Sequence, residues 1–255
     1  MVELKSESER AAMREAGRVV AAMLAAATGA AAVGVPLREL DEVGREVLRA
    51  AGAKPTFLDY HPRFAPTPYP AVLCTSVNDA ALHGIPTGYR LRDGDVLSVD
   101  AGAELDGWTG DAAVTVIVGT PRAEDLRLLE AGRQALAAGI AAARSGGHIG
   151  DISAAIGQIA RAAGYGLHTD YGGHGIGRRM HEDPSVPNEG RAGRGLRLRP
   201  GVVLAIEPWF MAGGRDEYRV DPDGWTLRSA DGSRAVHMEH TVAIEESGPE
   251  ILTLP

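Results

Sequence analysis

Cysteine is almost absent from this chain of 255 residues. Cys74 is the only one, so no intrachain disulfide can form, and we expect a reducing compartment, the cytoplasm. Basic charge is also scarce, because 26 Lys and Arg stand against 34 Asp and Glu, which gives a net charge of -8. Polyanions need a basic face, so this balance argues against a general binder of nucleic acid or of anionic membranes.

Strongly apolar runs are missing as well. Residues 19–37 are uncharged, but they are mostly Ala, and the residues before them hold as many Glu as Lys and Arg. A secretory signal needs a positive front and a strongly apolar middle, so we do not interpret this stretch as one. No other stretch is long enough to span a bilayer. An apolar fraction of 44% and a charged fraction of 24% are typical of a soluble globular protein.

Two distant stretches of the chain are near-copies of each other. Residues 90–100 read RLRDGDVLSVD, and residues 197–207 read RLRPGVVLAIE. In both, a Gly turn leads into an apolar run of strand length that ends on an acid, Asp100 or Glu207. A carboxylate buried at a strand end needs a partner, because desolvating its charge is expensive. Two such acids from matching parts of one chain suggest a shared cation.

Shorter matches extend this repeat upstream. The sequence EAGR at residues 15–18 recurs at 130–133, and each copy is predicted to open an Ala-rich helix. Residues 48–52 and 160–164 are each predicted to close a second helix on a Gly. The order helix, helix, strand therefore occurs twice. We expect one domain over residues 1–255, built of two pseudo-twofold-related α/β halves that span about residues 1–118 and 119–255.

A turn dipeptide, Asp106-Gly107, lies between two further strand-like runs. In a hairpin centred there, Asp100 and Asp111 have the same parity and lie on one face, opposite or diagonal to each other. Either acid alone would be read as a solvated residue beside a turn. Together on adjacent strands they form a clamp for a cation.

The segment 172–184 is rich in glycine and carries His174 and His181. It matches a dinucleotide-binding fingerprint only loosely, since no strand-to-helix context surrounds it. The glycines more plausibly let the backbone approach a site into which the two histidines project. Glu239, at the head of another apolar strand, adds a fourth acid.

Four clustered carboxylates repel one another, and two divalent ions would cancel their charges. Carboxylates with a single imidazole favour Mn²⁺, Fe²⁺ or Co²⁺ over a closed structural Zn²⁺ site, and Zn²⁺ is a further candidate for an open site. A pair of such ions lowers the pKa of water held between them.

These residues together resemble the type I methionine aminopeptidases. The resemblance runs along nearly the whole chain and rests on residues 13–18, 78–86, 100 with 111, 174–182, 206–208 and 239–241. It implies the α+β pita-bread fold, in which two pseudo-twofold-related α/β halves surround an antiparallel sheet. It also implies that two divalent ions are held by Asp100, Asp111, His174, Glu207 and Glu239. Asp111 and Glu239 would bridge, with Asp100 on one ion and His174 and Glu207 on the other.

The resemblance further implies roles around these ligands. Glu207 would act as general base, His83 would contact the scissile amide, and His181 would contact the carbonyl oxygen. The family's side-chain pocket is matched by Tyr69, Cys74 and Trp225, and by Met180 where many relatives carry Phe. Cys74 could equally be a small buried hydrophobe, and Trp225 could be core filler.

Other features depart from the family pattern or lack a motif. The proline-rich segment 60–70 differs from the usual sequence, so it leaves the pocket shape open. Four histidines have no motif around them and are predicted at the surface: His61, His148, His168 and His237. His240 is expected to support a ligand rather than bind metal.

The implied activity is removal of the initiator methionine from nascent polypeptides with a small second residue. We expect the protein to be a monomer whose partners are the N-termini of nascent chains. We expect no contact with membranes and no direct contact with nucleic acid. Any ribosome contact would use the surface of the catalytic domain. One alternative is a proline-directed aminopeptidase or dipeptidase of the same fold, but such enzymes usually carry an extra N-terminal domain, for which we expect no room. The other alternative is a noncatalytic pita-bread binding protein, but such proteins typically lack some of the metal ligands. A structural metal protein is disfavoured by the surplus of carboxylates and histidines.

Overall fold

The computed structural model describes residues 2–168 and 170–255. Its helices are α1 (Glu7–Ala30), α2 (Leu37–Ala51), α3 (Ala123–Ala142) and α4 (Ile149–Ala162). Its strands are β1 (Lys54–Pro55), β2 (Leu73–Val77), β3 (Ala80–Leu82), β4 (Asp95–Leu105), β5 (Trp108–Val118), β6 (Gly173–Gly175), β7 (Glu182–Val186), β8 (Val203–Ile206), β9 (Trp209–Met211), β10 (Tyr218–Val220), β11 (Leu227–Ser229), β12 (Ala235–His237), β13 (His240–Glu245) and β14 (Gly248–Ile251).

The first helix begins well before its Ala-rich part. Ser6 caps α1 in a capping box, in which its hydroxyl accepts from the Glu9 amide and the Glu9 carboxylate accepts from the Ser6 amide. The prediction that residues 15–18 and 130–133 open helices is therefore wrong, since both lie inside α1 and α3. Sequence alone marked only the buried middle of each helix, because the first turns are polar.

The predicted ends of the second helices are confirmed. Gly52 follows α2 with a φ of 64°, the left-handed conformation that favours glycine at this position. Gly164 follows α4 by two residues with a φ of 75°. The order helix, helix, strands thus occurs twice along the chain.

The hairpin predicted around Asp106-Gly107 is also confirmed. Leu105 pairs with Trp108, and the two turn residues have φ values of 51° and 78°, as a type I′ turn requires. Asp100, however, does not end its strand, because β4 continues to Leu105. The long hairpin instead carries this acid at its middle, where β2 pairs with the other edge of β4.

The remaining acids come from a second antiparallel sheet with the order β14-β13-β8-β6-β7. Glu207 directly follows β8, as predicted, and Glu239 directly precedes β13. A bridge between Ala113 and Glu239 ties the hairpin to this sheet. The mixed α/β architecture with antiparallel sheets, predicted from the sequence, is confirmed.

Each pair of helices covers one of these sheets. One core packs α1 and α2 on the hairpin through side chains such as Val20, Leu40 and Leu97. The other packs α3 and α4 on the second sheet through side chains such as Ile152 and Leu204. The stretch 19–37, uncharged in sequence, lies in the first of these cores and the turn beyond it. Across residues 2–168 and 170–255, none of the helices combines the length and apolarity needed to cross a membrane.

Candidate active site

A cavity of about 400 Å³ opens where the hairpin meets the second sheet. Carboxylates, histidines and aromatic side chains line it. All five predicted metal ligands line this cavity: Asp100, Asp111, His174, Glu207 and Glu239.

Strand register brings the two hairpin acids together. Asp100 pairs with Ala113 and Asp111 pairs with Gly102, so the two acids are diagonal neighbours on one face, as predicted. A small residue is needed beside them, because a Cβ on Gly102 would meet the Thr56 hydroxyl at 2.1 Å and Asp111 at 3.4 Å. The backbone of Asp111 is held by Thr241, whose hydroxyl accepts from the Asp111 amide at 3.0 Å and lies 2.8 Å from its carbonyl oxygen.

His174 joins these acids from β6. The ligand atoms of Asp111, His174 and Glu239 lie within 4.8 Å of one another. Nδ1 of His174 lies 2.9 Å from the Gly175 carbonyl oxygen, which can only accept, so Nδ1 carries the proton. The unprotonated Nε2 lies 3.7 Å from Glu207 Oε1 and is free to bind a cation.

The buried acids are incompletely paired. Asp100 Oδ1, Asp111 Oδ1 and Glu239 Oε1 have no hydrogen-bond partner among the residues that the structure describes. Burial, and then repulsion from neighbouring acids, raises the pKa of Asp111 and of Glu239 well above the usual range. Burial also raises the pKa of Asp100, to about 7. Divalent cations would offset both the cost of burying these charges and the repulsion between them, so the donor set fits metal ions.

Glu207 differs from these three acids. Burial alone would raise its pKa, but the nearby imidazoles of His237 and His174 outweigh burial and lower it. This carboxylate therefore stays ionised at neutral pH.

Two further predicted residues, His83 and His181, also line the cavity. His83 follows β3 with a φ of 56°, and its ring lies 5.6 Å from that of Tyr171. The ring of His181 lies 4.3 Å from that of His174, and its Nδ1 lies 3.0 Å from the Tyr60 hydroxyl. Burial lowers the pKa of His83 to about 4 and that of His181 to about 3, so both imidazoles are neutral at pH 7.

The predicted pocket residues form one apolar cluster. Tyr69, Cys74, Met180 and Trp225 are all buried and all line the cavity. The rings of Tyr69 and Trp225 meet edge to face at 5.1 Å. Trp225 also donates from Nε1 to the Thr67 carbonyl oxygen at 3.0 Å, which anchors the proline-rich segment. Trp225 and Cys74 are both buried and both line the cavity. A place in the core and a place in the side-chain pocket, the two alternatives left open by the sequence, are therefore compatible for each residue.

Sequence reasoning missed four aromatic residues that line the cavity. They are Phe57, Tyr60, Phe64 and Tyr171. Phe64 is 61% exposed, and its ring lies 6.1 Å from that of Trp225. For Phe57, Tyr60 and Phe64 the available signal was their spacing in and just before the proline-rich segment 60–70.

The prediction that four histidines lie at the surface is wrong for His237. This side chain is only 3% exposed and lies beside Glu207 and Glu239. The period of two between His237 and Glu239 could have indicated a shared face. His148 and His168 are half-buried, and His61 is exposed, as predicted. His240 turns to Thr253, with Nδ1 at 2.8 Å from the Thr253 hydroxyl.

Comparisons with known proteins point to one family. The model of metallopeptidase family M24 matches residues 11–246. The methionine aminopeptidase 1 of Mycobacterium tuberculosis is 49% identical over 261 residues, which cover 100% of this chain and 96% of that protein. The methionine aminopeptidase of Aquifex aeolicus is 43% identical over 255 residues, 99% of this chain and 98% of that protein. The crystal structure of methionine aminopeptidase from Thermotoga maritima superposes with a TM-score of 0.95 at 38% identity, covering 100% of both chains.

Proposed function

This chain belongs to metallopeptidase family M24, among the methionine aminopeptidases, and from that premise we propose how its residues remove an N-terminal methionine. The observation that carries the proposal is a buried set of acids with unpaired oxygens beside an apolar, aromatic pocket. The first feature suits divalent ions, and the second suits a thioether side chain.

The metal centre comes first in this proposal. Asp100, Asp111, His174, Glu207 and Glu239 would hold two divalent ions. Mn²⁺, Fe²⁺ and Co²⁺ suit the donor set, and Zn²⁺ is a further candidate. Such ions, when bound, lower the pKa of water and polarise a carbonyl oxygen. Support comes from the unpaired oxygens of Asp100, Asp111 and Glu239.

Glu207 is the proposed general base. Its lowered pKa keeps the carboxylate ionised at neutral pH, so it can accept the proton that the attacking water releases. The three acids with raised pKa values are poorer candidates for this role in the metal-free protein.

The two cavity histidines are proposed to handle the peptide bond. With the Tyr60 hydroxyl as the donor to Nδ1 of His181, the neutral ring would carry its proton on Nε2. That N–H is placed to donate to the substrate carbonyl oxygen as negative charge develops there. His83, also neutral, would contact the nitrogen of the scissile amide.

The first side chain of the substrate is proposed to lie among Tyr69, Cys74, Met180 and Trp225. These residues form an apolar surface with no charged partner for a basic or acidic side chain. A thioether lies well against aromatic rings, with each contact worth roughly 0.3–1.5 kcal/mol. A small second residue is expected for efficient cleavage.

The cellular setting is proposed on the same basis. We place the activity in the cytoplasm, on nascent chains whose N-termini leave the ribosome. The catalytic unit would be a monomeric single domain over residues 1–255, with pseudo-symmetric halves of about 1–118 and 119–255. The repeated order of helices and strands supports the two halves.

Peptide turnover tests the proposed activity. Met-Ala-Ser should be cleaved at the first bond, whereas Xaa-Pro peptides should be left intact, which separates this activity from that of a proline-directed enzyme. Asp111→Ala should abolish cleavage, and Asp106→Asn at the hairpin tip is a control that should retain it, because Asn tolerates the positive φ of this turn. Failure of the metal-loaded protein to cleave Met-Ala-Ser would contradict the proposal and favour a noncatalytic protein.

A further inference from the structure

His237 lies beside the carboxylates of Glu207 and Glu239, and apart from helping to lower the pKa of Glu207 it has no role in the function proposed above. Its side chain is buried, with Nε2 at 3.5 Å from Glu207 Oε2 and 3.8 Å from Glu239 Oε2. Nε2 is also fully enclosed, and within the described ranges it has no hydrogen-bond partner. A buried polar nitrogen without a partner is costly, so its position needs a physical reason.

The backbone fixes the position of this side chain. The His237 amide donates to the Thr115 hydroxyl at 3.0 Å, and that hydroxyl donates to the His237 carbonyl oxygen at 2.7 Å. On its other side His237 pairs with Trp209 in the two-stranded sheet of β12 and β9. Thr115 itself is fully buried on the metal-site hairpin. His237 is therefore clamped to the same strand pair that carries Asp111.

The distances around Nε2 fit metal binding better than hydrogen bonding. An N–H···O bond in proteins is about 2.7–3.2 Å long, shorter than either separation. Two donor atoms on one ion, each about 2.0–2.2 Å from it, lie roughly 3–4 Å apart. His174 Nε2 lies 3.7 Å from Glu207 Oε1, and this pair is proposed to share an ion. His237 stands in the same relation to the other oxygen of Glu207.

We propose that His237 is a further metal-binding residue of this centre, with Nε2 as a ligand beside Glu207 and Glu239. The ligand atoms of these three residues lie within 4.8 Å of one another, which supports a common ion. The inference rests on the proposed function only in requiring that the centre bind divalent ions. A second imidazole would favour Co²⁺ over Mn²⁺, because nitrogen ligands suit the former better.

Proton NMR of the Co²⁺-loaded protein tests this directly. An imidazole bound through Nε2 shows one strongly shifted, exchangeable signal from its Nδ1–H. We expect two such signals in the unaltered protein, and one in each of the variants His237→Gln and His174→Gln. His148→Gln, a histidine outside the cavity, is the matched control and should keep both. A single signal in the unaltered protein, lost in His174→Gln, would overturn the proposal even if His237→Gln failed to fold.

Metal competition gives a second readout. A residue that only orients a ligand typically changes metal affinity by about 10–100-fold, so a loss of affinity does not by itself identify a ligand. The ratio of the affinity losses for the two ions does identify a ligand. His237→Gln should weaken Co²⁺ binding at least tenfold more than Mn²⁺ binding. Equal losses for the two ions would mean that His237 positions Glu207 instead. Neither measurement uses turnover. A protein that binds Co²⁺ through His237 but leaves Met-Ala-Ser intact would therefore contradict the proposed function and leave the role of His237 in metal binding unaffected.

Discussion

At the scale of single residues, the hydrogen bond between Tyr60 and His181 bears on where the imidazole carries its proton. With the phenol as the donor to Nδ1, 3.0 Å away, Nε2 of the neutral ring would carry the hydrogen that the proposed reaction needs. Tyr60 lies in the proline-rich segment 60–70 and also lines the cavity. This segment therefore contributes to the chemistry of the site as well as to the shape of its pocket.

His181→Ala should lower kcat far more than it raises KM. A donor that acts on charge formed in the transition state is typically worth on the order of 10²–10³ in kcat. Tyr60→Phe should give a smaller decrease in the same direction, because the ring remains but its tautomer is no longer fixed. Steady-state kinetics on Met-Ala-Ser, with the exposed His61→Ala as control, measure both. A large rise in KM at constant kcat would make His181 a ground-state binding residue.

Trp225→Ala should relax the preference for Met over Leu at the first position. The indole forms one wall of the cavity, so its removal lets a branched side chain fit. Each misplaced methyl-sized group costs about 1–3 kcal/mol in a well-shaped pocket. The measurement is the ratio of kcat/KM for Met-Ala-Ser and Leu-Ala-Ser. The control Trp108→Ala removes a buried Trp outside the cavity and should leave this ratio unchanged. An unchanged ratio in Trp225→Ala would mean that Trp225 only fills the core.

At the scale of elements, helix α1 fixes the hairpin from behind. A Cβ on Gly17 would lie 2.1 Å from the Leu252 carbonyl oxygen, and one on Gly110 would lie 3.0 Å from Gly17 itself. The helix therefore presses its backbone against both the C-terminal segment and the strand that carries Asp111. Such close approach needs glycine because any side chain would push the helix away.

Gly17→Ala should destabilise the protein by about 3 kcal/mol or more, because backbone atoms must move to admit the methyl group. Gly29→Ala in the same helix meets nothing within 4 Å. There the substitution should stabilise by about 0.5–1 kcal/mol through the higher helix propensity of Ala. Urea denaturation gives both free energies of unfolding, and similar values for the two variants would contradict the close packing of α1.

At the scale of the whole molecule, the metal centre couples stability to pH. Burial raises the pKa of Asp100 to about 7, and the pKa values of Asp111 and Glu239 lie well above their usual range. In the metal-free protein these groups hold protons that the unfolded chain releases near pH 4, since unperturbed values are about 3.9–4.3. Their contribution to stability is complete below that pH and is lost as pH rises through the folded-state values.

Metal-free protein should therefore melt at a lower temperature at pH 8 than at pH 7. Below about pH 6.5 the lowered pKa values of His83 and His181 act in the opposite direction, so the comparison is made above that pH. Added Mn²⁺ or Co²⁺ should raise the Tm most at pH 8. Metal ions compete with protons for the buried carboxylates, and this competition is weaker at the higher pH. Chelation should also abolish activity, and either ion should restore it. Calorimetry with chelator or metal at both pH values checks the sign, and Asp100→Asn should flatten the pH dependence of the metal-free Tm. A metal-free Tm that rises with pH would contradict the raised pKa values.

Much of the fold and site was readable in the sequence because its signals are local. The Asp106-Gly107 turn set the hairpin register, and a period of two then placed Asp100 and Asp111 on one face. Gly52 marked a helix end by its backbone conformation. The apolar runs before Glu207 and after Glu239 identified the strands that carry these acids. Each inference needed only neighbours along the chain.

The tertiary structure decided what depends on contacts between distant segments. His237 has no local motif, and only the pairing of β12 with β9 and the clamp of Thr115 turn it toward Glu207. Tyr60 reaches His181 across 121 positions of sequence because the proline-rich segment folds back over the cavity. Where α1 begins was fixed by Ser6, a polar cap outside the apolar pattern. Local periodicity determines which face a side chain takes, whereas the register between remote strands determines what that face meets.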